Sequence, residues 1–147
     1  MDITINTPAL LFPAISLIML AYTNRFLGLA NRVRSLHEKY NKEENKQLIY
    51  SQIKSLKYRL KLIKNMQFFG VASFLFCLLC MYLIYINLMA YANIFFAFAI
   101  LSFAFSLIIS LIEIIQSTKA LELELSDMEG LEDPSLVQYL KKKFERE

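Results

Sequence analysis

The stretch FFGVASFLFCLLCMYLIYI, residues 68–86, runs for 19 residues without a charged side chain. A helix needs roughly 20 apolar residues to cross the hydrocarbon core of a bilayer. A second uncharged run of 19 residues, 94–112, follows after a short connection, and an apolar run of 15 residues, 9–23, precedes both. The three runs predict membrane-spanning helices at about residues 8–30, 68–88 and 93–112.

The composition supports an all-α integral membrane protein of one domain. The chain has 147 residues, of which 56% are hydrophobic, and its mean hydropathy is +0.42, above the usual range of a soluble domain. Only three glycines and three prolines occur, too few for the turns of a sheet of many short strands. The leading residues MDITINTP contain an acid and no Lys or Arg, whereas signal peptides begin with basic residues, so we expect the first span to be retained.

Charge placement predicts the orientation of the spans. Residues 24–67 contain 11 of the 16 Lys and Arg residues against three Glu, and the connection NLMAYAN, residues 87–93, contains no charge. Connections rich in Lys and Arg stay in the cytoplasm. The long connection and the C-terminus are therefore expected inside, and the N-terminus and the short connection outside.

Helical periodicity continues beyond the first two spans. Apolar residues recur every three or four positions from Phe26 to Tyr40, and again from Ile49 to Ile63, which predicts a cytoplasmic helical hairpin at about residues 31–67. Asn41 and Glu44 have the spacing of a capping box, which predicts that the second helix starts near Lys42.

The third span also continues, as an acidic helix at about residues 113–129 that ends at Gly130. The second helix carries a basic stripe on the corresponding stretch. Apolar seams of similar length favour mutual burial, so we expect a cytoplasmic, coiled-coil-like stalk in which the basic second helix faces the acidic third. The basic stripe consists of Lys54, Lys57, Lys61 and Lys64.

The C-terminal sequence EDPSLVQYLKKKFERE predicts a short amphipathic helix at about residues 134–146. Asp133 is a suitable N-cap, and proline is favoured at the first helical position, which Pro134 would occupy. Beside the apolar face lies a basic cluster that would face lipid on the inner leaflet or, alternatively, dock on the stalk. The cluster is Lys141, Lys142 and Lys143.

Two charged residues stand at the inner ends of the spans. Arg25 follows the first apolar run and Glu113 follows the third. A charge near the hydrocarbon edge is costly unless it is paired or reaches the headgroups. We expect an intramembrane ion pair between Arg25 and Glu113, within the chain or across a subunit boundary. The alternative is that each side chain reaches the interface independently.

Ser102, Ser106 and Ser110 form a line of small residues along the third span. Small residues at this spacing let helices approach closely. The same line could instead form the water-exposed lining of a pore that leads to Glu113. Both interpretations stay open from the sequence.

Other candidate sites favour structural roles. Cys77 and Cys80 have the spacing of redox and zinc motifs but lie in mid-span without a second cysteine pair, so we expect them to pack as small apolar residues. His37 is the single histidine and is expected to be solvated. We predict no catalytic residue, no cofactor, no metal site and no nucleic-acid partner.

Three sequence elements resemble a known family. They are Pro13-Ala-Ile-Ser16, Ala21-Tyr-Thr-Asn-Arg-Phe26 and Arg59-Leu-Lys-Leu-Ile-Lys-Asn65. Over roughly residues 8–129 the chain resembles the short bacterial membrane proteins grouped as domain of unknown function 2721. The resemblance implies a bacterial inner-membrane location, and it brings no activity, cofactor or catalytic residue.

The sequence therefore favours a non-enzymatic integral membrane protein, a homo-oligomeric scaffold or an accessory subunit of a membrane complex. Oligomers are expected because three spans alone enclose no cavity and because the serine line needs a partner surface. One alternative is an oligomeric ion channel with a serine-lined pathway and an acidic cytoplasmic mouth at Glu113. Another is a sensor of membrane state that relays to a cytoplasmic protein.

Overall fold

The computed structural model describes residues 3–42 and 46–130, with the side chains of residue 48 and residues 124–130 excluded. In these ranges the chain forms three helices and no strand, so the all-α class is confirmed. The helices are α1 (Asn6–Tyr40), α2 (Lys46–Tyr85) and α3 (Met89–Gly130). All three are long and apolar enough to cross a membrane, as the sequence predicted for three helices.

Each helix is unbroken from its apolar run into its polar continuation. α1 has 35 residues, α2 has 40 and α3 has 42. At 1.5 Å per residue these lengths exceed the roughly 30 Å of a bilayer core by 20 Å or more. The helices can therefore span a membrane and still extend beyond it.

Buried positions recur every seven residues on all three helices. A seven-residue period keeps one face of each helix toward its neighbours and is typical of knobs-into-holes packing. The buried series on α1 is Pro8, Ile15, Tyr22 and Leu29, and the one on α3 is Ala92, Ala99, Ser106 and Glu113. α2 has two such series: Ile49, Leu56, Ile63, Gly70 and Cys77, and Met66, Ser73 and Cys80.

Two apolar clusters hold the bundle together. One joins Tyr22 and Leu29 of α1 to Leu56, Ile63 and Met66 of α2. The other joins Ile15, Cys77 and Ala99, one residue from each helix. The first cluster extends past the charged end of the α1 span, so α1 and α2 stay packed along the seams that the sequence predicted.

The connection between α2 and α3 is shorter than the sequence suggested. Residues 87–93 were expected to form it, but α2 ends at Tyr85 and α3 begins at Met89. Asn87 has a φ of 62°, a left-handed conformation that asparagine tolerates better than most residues. This single residue lets the chain reverse in three positions, so residues 89–93 form the first turn of α3.

The predicted start of α2 near Lys42 falls next to residues 43–45, which lie outside the described residues. Lys42 lies in a turn, and α2 begins at Lys46 in the part of the chain that the structure describes. The backbone N–H of Asn41 donates to the His37 carbonyl oxygen, and that of Lys42 donates to the Lys39 carbonyl oxygen, so these two residues close α1. Glu44, the other half of the expected capping box, lies outside the described residues.

The chain divides into two compact units, residues 1–113 and 114–147. In the second unit the described part is the rest of α3, in which Thr118 donates a hydrogen bond to the Ile114 carbonyl oxygen at 2.9 Å. The predicted C-terminal helix at residues 134–146, with Asp133, Pro134 and the cluster Lys141, Lys142 and Lys143, lies outside the described residues.

Candidate functional site

A ladder of polar contacts joins α2 and α3 at seven-residue intervals. Nearest the connection, the Cys80 thiol donates to the Ala92 carbonyl oxygen at 3.3 Å. Seven residues further along each helix, the Ser73 hydroxyl donates to the Ala99 carbonyl oxygen at 2.8 Å. The next rung is reversed, because Ser106 of α3 donates to the Met66 carbonyl oxygen of α2 at 2.8 Å.

Small side chains make this ladder possible. Alanine, serine, cysteine and glycine at the facing positions let two backbones approach closely enough for a side-chain donor to reach the neighbouring carbonyl. In an apolar environment a polar group needs such a partner. Ser73, Ser106 and Cys80 are all buried, and each finds its acceptor inside the chain.

Gly70 marks the closest approach in the ladder. A Cβ atom at this position would lie 2.7 Å from the Sδ atom of Met19 and 3.6 Å from the Oγ atom of Ser106. A Cβ atom added at Gly28 of α1 would have no neighbouring atom within 4 Å. Of these two helical glycines, therefore, only Gly70 lies against side chains of the neighbouring helices.

Tyr22 connects α1 to the Ser106 rung. Its hydroxyl donates to the Ser106 carbonyl oxygen at 3.4 Å, and the two hydroxyl oxygens lie 3.2 Å apart. Each hydroxyl carries one hydrogen, so with tyrosine donating to the carbonyl oxygen, the serine hydrogen is shared between Tyr22 Oη and the Met66 carbonyl oxygen. All three helices thus meet at Ser106.

The last rung is charged. Arg25 of α1 places Nη1 2.8 Å from Glu113 Oε2, and Arg59 of α2 places Nη2 3.3 Å from Glu113 Oε1. The Glu113 side chain is 4% exposed, Arg59 is 11% exposed and Arg25 is 40% exposed. We call these three residues the Glu113 clamp.

The clamp lies at the end of the apolar part of the bundle. Its net charge is +1, with one carboxylate between two guanidinium groups. Both carboxylate oxygens already accept charge-assisted hydrogen bonds, one from each of two other helices. The geometry therefore fits a structural lock that fixes the three helices in register.

The sequence pointed to Arg25 and Glu113 but missed Arg59. Arg59 lies within a strongly basic stretch, where nothing in its local surroundings distinguishes it from the neighbouring lysines. The available signal was its spacing, since Arg59, Met66, Ser73 and Cys80 succeed one another every seven residues. Tyr22 was likewise missed, although it precedes Leu29 by seven.

The serine line has partners within the single chain. Ser106 is fully buried, Ser110 is 9% exposed and Ser102 is half-buried. The sequence suggested that this line needs a partner surface on a second copy of the chain. Ser106 does not need one, because it already bonds to Tyr22 and Met66 of the same chain.

The remaining candidates lie apart from the clamp. Cys77 is buried in the apolar cluster with Ile15 and Ala99, and both cysteines are free thiols. His37 is exposed on α1. Among the described side chains, no group of three or more His, Cys, Asp or Glu residues is placed to hold a metal ion.

The basic stripe is exposed on the outer face of α2. All four lysines, Lys54, Lys57, Lys61 and Lys64, project to the surface of the bundle. They border a groove between α1 and α2 that includes Phe26 and Leu60.

Residues 5–123 match the model of one protein family, which is described as a protein of unknown function, DUF2721. The match covers α1, α2 and the apolar part of α3. Comparisons with curated proteins and with solved structures found no match.

Proposed function

Since the chain belongs to the DUF2721 family, whose function is unknown, we propose a role from its own geometry: a non-enzymatic integral membrane protein that assembles as a homo-oligomer. In this proposal it acts as a scaffold or as an accessory subunit of a membrane complex. It carries no cofactor, and it binds protein and lipid rather than nucleic acid.

The observation that carries the proposal is the use of the buried polar groups. Ser73, Cys80 and Ser106 bond to backbone carbonyl oxygens, and the Glu113 carboxylate is held by two arginines. Catalytic sites need polar groups that face a cavity and a substrate. Here the same groups join helix to helix, as expected of a rigid structural element.

Low burial of the spans supports an assembly. In the most apolar windows of α1, α2 and α3, only 11%, 22% and 11% of the residues are buried. Large apolar side chains such as Leu17, Val71 and Leu101 are more than half exposed. Lipid covers part of this surface, and in our proposal further copies of the chain, or a partner protein, cover the rest.

The coiled-coil-like stalk belongs to the same proposal. We place the α1–α2 hairpin and the acidic continuation of α3 in the cytoplasm. Exposed ion pairs contribute only about 0–1 kcal/mol each, so the charges would set register and choice of partner more than stability.

We further propose a bacterial inner-membrane location with the N-terminus outside. Support comes from the basic long connection and the uncharged short connection. Tyr82, Tyr85 and Tyr91 are exposed around the short connection, where aromatic rings favour the membrane interface.

Thiol labelling tests this orientation. A cysteine introduced as Lys54→Cys should react with a membrane-impermeant maleimide only after the inner membrane is permeabilised, and Met89→Cys should react in intact spheroplasts. The unmodified chain is the control, because its Cys77 and Cys80 are buried and should stay unlabelled. Labelling of Lys54→Cys in intact spheroplasts would refute the orientation.

Cross-linking in native membranes tests the assembly. Single cysteines at Leu17, Val71 and Leu101 each place a thiol on the exposed face of a different helix. At least one should form a disulfide-linked dimer under mild oxidation, while the unmodified chain should stay monomeric on a denaturing gel. Absence of dimer at all three positions would exclude a homo-oligomer held through these faces.

The same protein in liposomes separates the scaffold from a channel. A scaffold should leave the potassium permeability of the vesicles at the protein-free level and should copurify with a defined partner. A channel would raise permeability, and Glu113→Gln would change its ion selectivity. The contacts of Ser106 and Glu113 within the chain argue against a pathway lined by these side chains.

A further inference from the structure

A groove of about 530 Å³ lies between α1 and α2, close to the Glu113 clamp. Phe26 of α1 forms one side, and residues of α2 between Lys54 and Lys64 form the other. The volume is within the range of sites for small organic ligands, about 300–1,000 Å³. The residues that line this groove take no part in the polar ladder or the Glu113 clamp.

The groove combines an apolar floor with a cationic border. Phe26 and Leu60 are half-buried and pack against the core cluster of α1 and α2. Four lysines, Lys54, Lys57, Lys61 and Lys64, surround this floor, and none of the described residues that line the groove is acidic. A ligand that matches both features has a negative group next to an apolar chain.

The position of the groove along the helix identifies the source of such a ligand. Lys64 precedes the uncharged run that begins at Phe68 by four residues, or about 6 Å along the helix axis. Lys57 lies about 10 Å further out. These ammonium groups therefore project at the level of lipid headgroups when residues 68–86 span a bilayer.

We propose that the groove binds an anionic phospholipid of the cytoplasmic leaflet. Its phosphate contacts Lys57, Lys61 and Lys64, and its glycerol and first acyl carbons contact Phe26 and Leu60. Lysine suits a mobile phosphate, because a flexible stem carries a compact charge with three donors. Basic pockets between helices on the cytoplasmic side of a membrane are a known mode of headgroup recognition.

This proposal rests on the membrane orientation given above but not on the scaffold role. The cross-linking experiment tests the assembly without reference to the lysines. The labelling of Lys54→Cys tests the orientation without reference to lipid. A failure of the lipid site can thus be told apart from a failure of either.

Lipid retention provides the test. The full-length protein is reconstituted in phosphatidylcholine vesicles with a minor fraction of phosphatidylglycerol, extracted in mild detergent and purified, and the retained lipid is analysed. Phosphatidylglycerol should be enriched severalfold over the vesicle composition. The triple variant Lys57→Gln, Lys61→Gln, Lys64→Gln should retain the two lipids in the bulk ratio.

Two further variants separate the contribution of the groove lysines from that of overall charge and from that of the apolar floor. Arg34→Gln, Lys39→Gln, Lys42→Gln removes the same number of charges from the same connection outside the groove and should keep the enrichment. Phe26→Ala keeps every charge and should lower the retained phosphatidylglycerol. Circular dichroism verifies that each variant is folded, so that a change in lipid is not a consequence of unfolding.

Three results would overturn the proposal. The first is equal enrichment in the groove variant and its matched control. The second is displacement of the lipid by soluble glycerol phosphate, which would assign the lysines to a free phosphate compound. The third is that the unmodified chain retains the two lipids in the bulk ratio but binds an acidic protein, and that the groove variant alone loses this protein. That result would make the groove a protein-docking surface.

Discussion

Replacing Glu113 by glutamine should lower the free energy of unfolding by about 3–5 kcal/mol. The substitution keeps the shape of the side chain but removes the one negative charge between Arg25 and Arg59. The two guanidinium groups then lose the carboxylate that they share, and one of them, Arg59, is only 11% exposed. Because Arg25 is 40% exposed and can turn toward water or headgroups, we expect the lower end of this range.

Thermal unfolding in detergent, followed by far-UV circular dichroism, measures the effect. A loss of about 3 kcal/mol corresponds to a decrease in Tm of roughly 10 °C for a chain of this size. Glu38→Gln is the matched control, since Glu38 is exposed on α1, and its Tm should change by no more than a degree or two. An unchanged Tm in Glu113→Gln would show that the clamp does not stabilise the bundle.

Charge exchange tests the pairing itself. Arg25→Glu alone leaves two carboxylates beside Arg59, and Glu113→Arg alone leaves three guanidinium groups together. The double variant restores one carboxylate and two guanidinium groups with the positions exchanged. It should recover part of the stability that either single variant loses, because the ion pair between positions 25 and 113 is restored while position 113 and Arg59 carry like charges. A double variant no more stable than the worse single variant would contradict a direct Arg25–Glu113 interaction.

The second large effect is expected at Gly70. Leucine at this position has to fit where a Cβ atom alone would lie 2.7 Å from Met19 Sδ and 3.6 Å from Ser106 Oγ. Its remaining carbons would push α2 away from α1 and α3 and would lengthen the hydrogen bond from Ser106 to Met66. Overpacking of this kind costs about 1–3 kcal/mol or more, and loss of the buried hydrogen bond adds to that cost.

Gly28→Leu is the matched control for Gly70→Leu, because a Cβ at Gly28 meets nothing within 4 Å. It should leave the Tm unchanged or raise it, since leucine is a better helix former than glycine. Gly70→Ala should be milder than Gly70→Leu, because the first obstacle is the end of the flexible Met19 side chain. Equal Tm values for Gly70→Leu and Gly28→Leu would contradict the close approach at Gly70.

The polar ladder explains why both effects should be large. Cys80–Ala92, Ser73–Ala99, Met66–Ser106 and Arg59–Glu113 are successive rungs of one antiparallel register. A shift of α3 by one residue would take every donor away from its acceptor at once. Between apolar helices in lipid such specific contacts matter, because apolar surface alone does not favour one register over another.

Several features of the protein follow from local sequence alone. Hydropathy identified three helices apolar enough to span a membrane, and the three- and four-residue spacing from Phe26 to Tyr40 indicated that the first helix continues past its apolar run, as α1 does. The positions of Arg25 and Glu113 at the ends of apolar runs suggested that they lie at the same depth. Each of these inferences depends on composition or periodicity within one helix.

Local sequence was misleading where the helices are joined. The run NLMAYAN resembles a seven-residue connection, but the left-handed backbone at Asn87 completes the reversal by Met89. Asn41 closes α1 with its N–H, and Glu44, the other half of the predicted capping box, lies outside the described residues. At the α2–α3 connection the backbone conformation of one asparagine decided the outcome.

What the sequence determined by itself is the number, length and apolar character of the helices, because these depend on residues that are neighbours along the chain. What only the tertiary structure decided is which residues meet across them: Arg59 as the second partner of Glu113, Tyr22 beside Ser106, and Gly70 against Met19. The physical reason is that the short reversal at Asn87 sets the α2–α3 register. Buried hydrogen bonds between small residues and the packing of α1 then make that register specific.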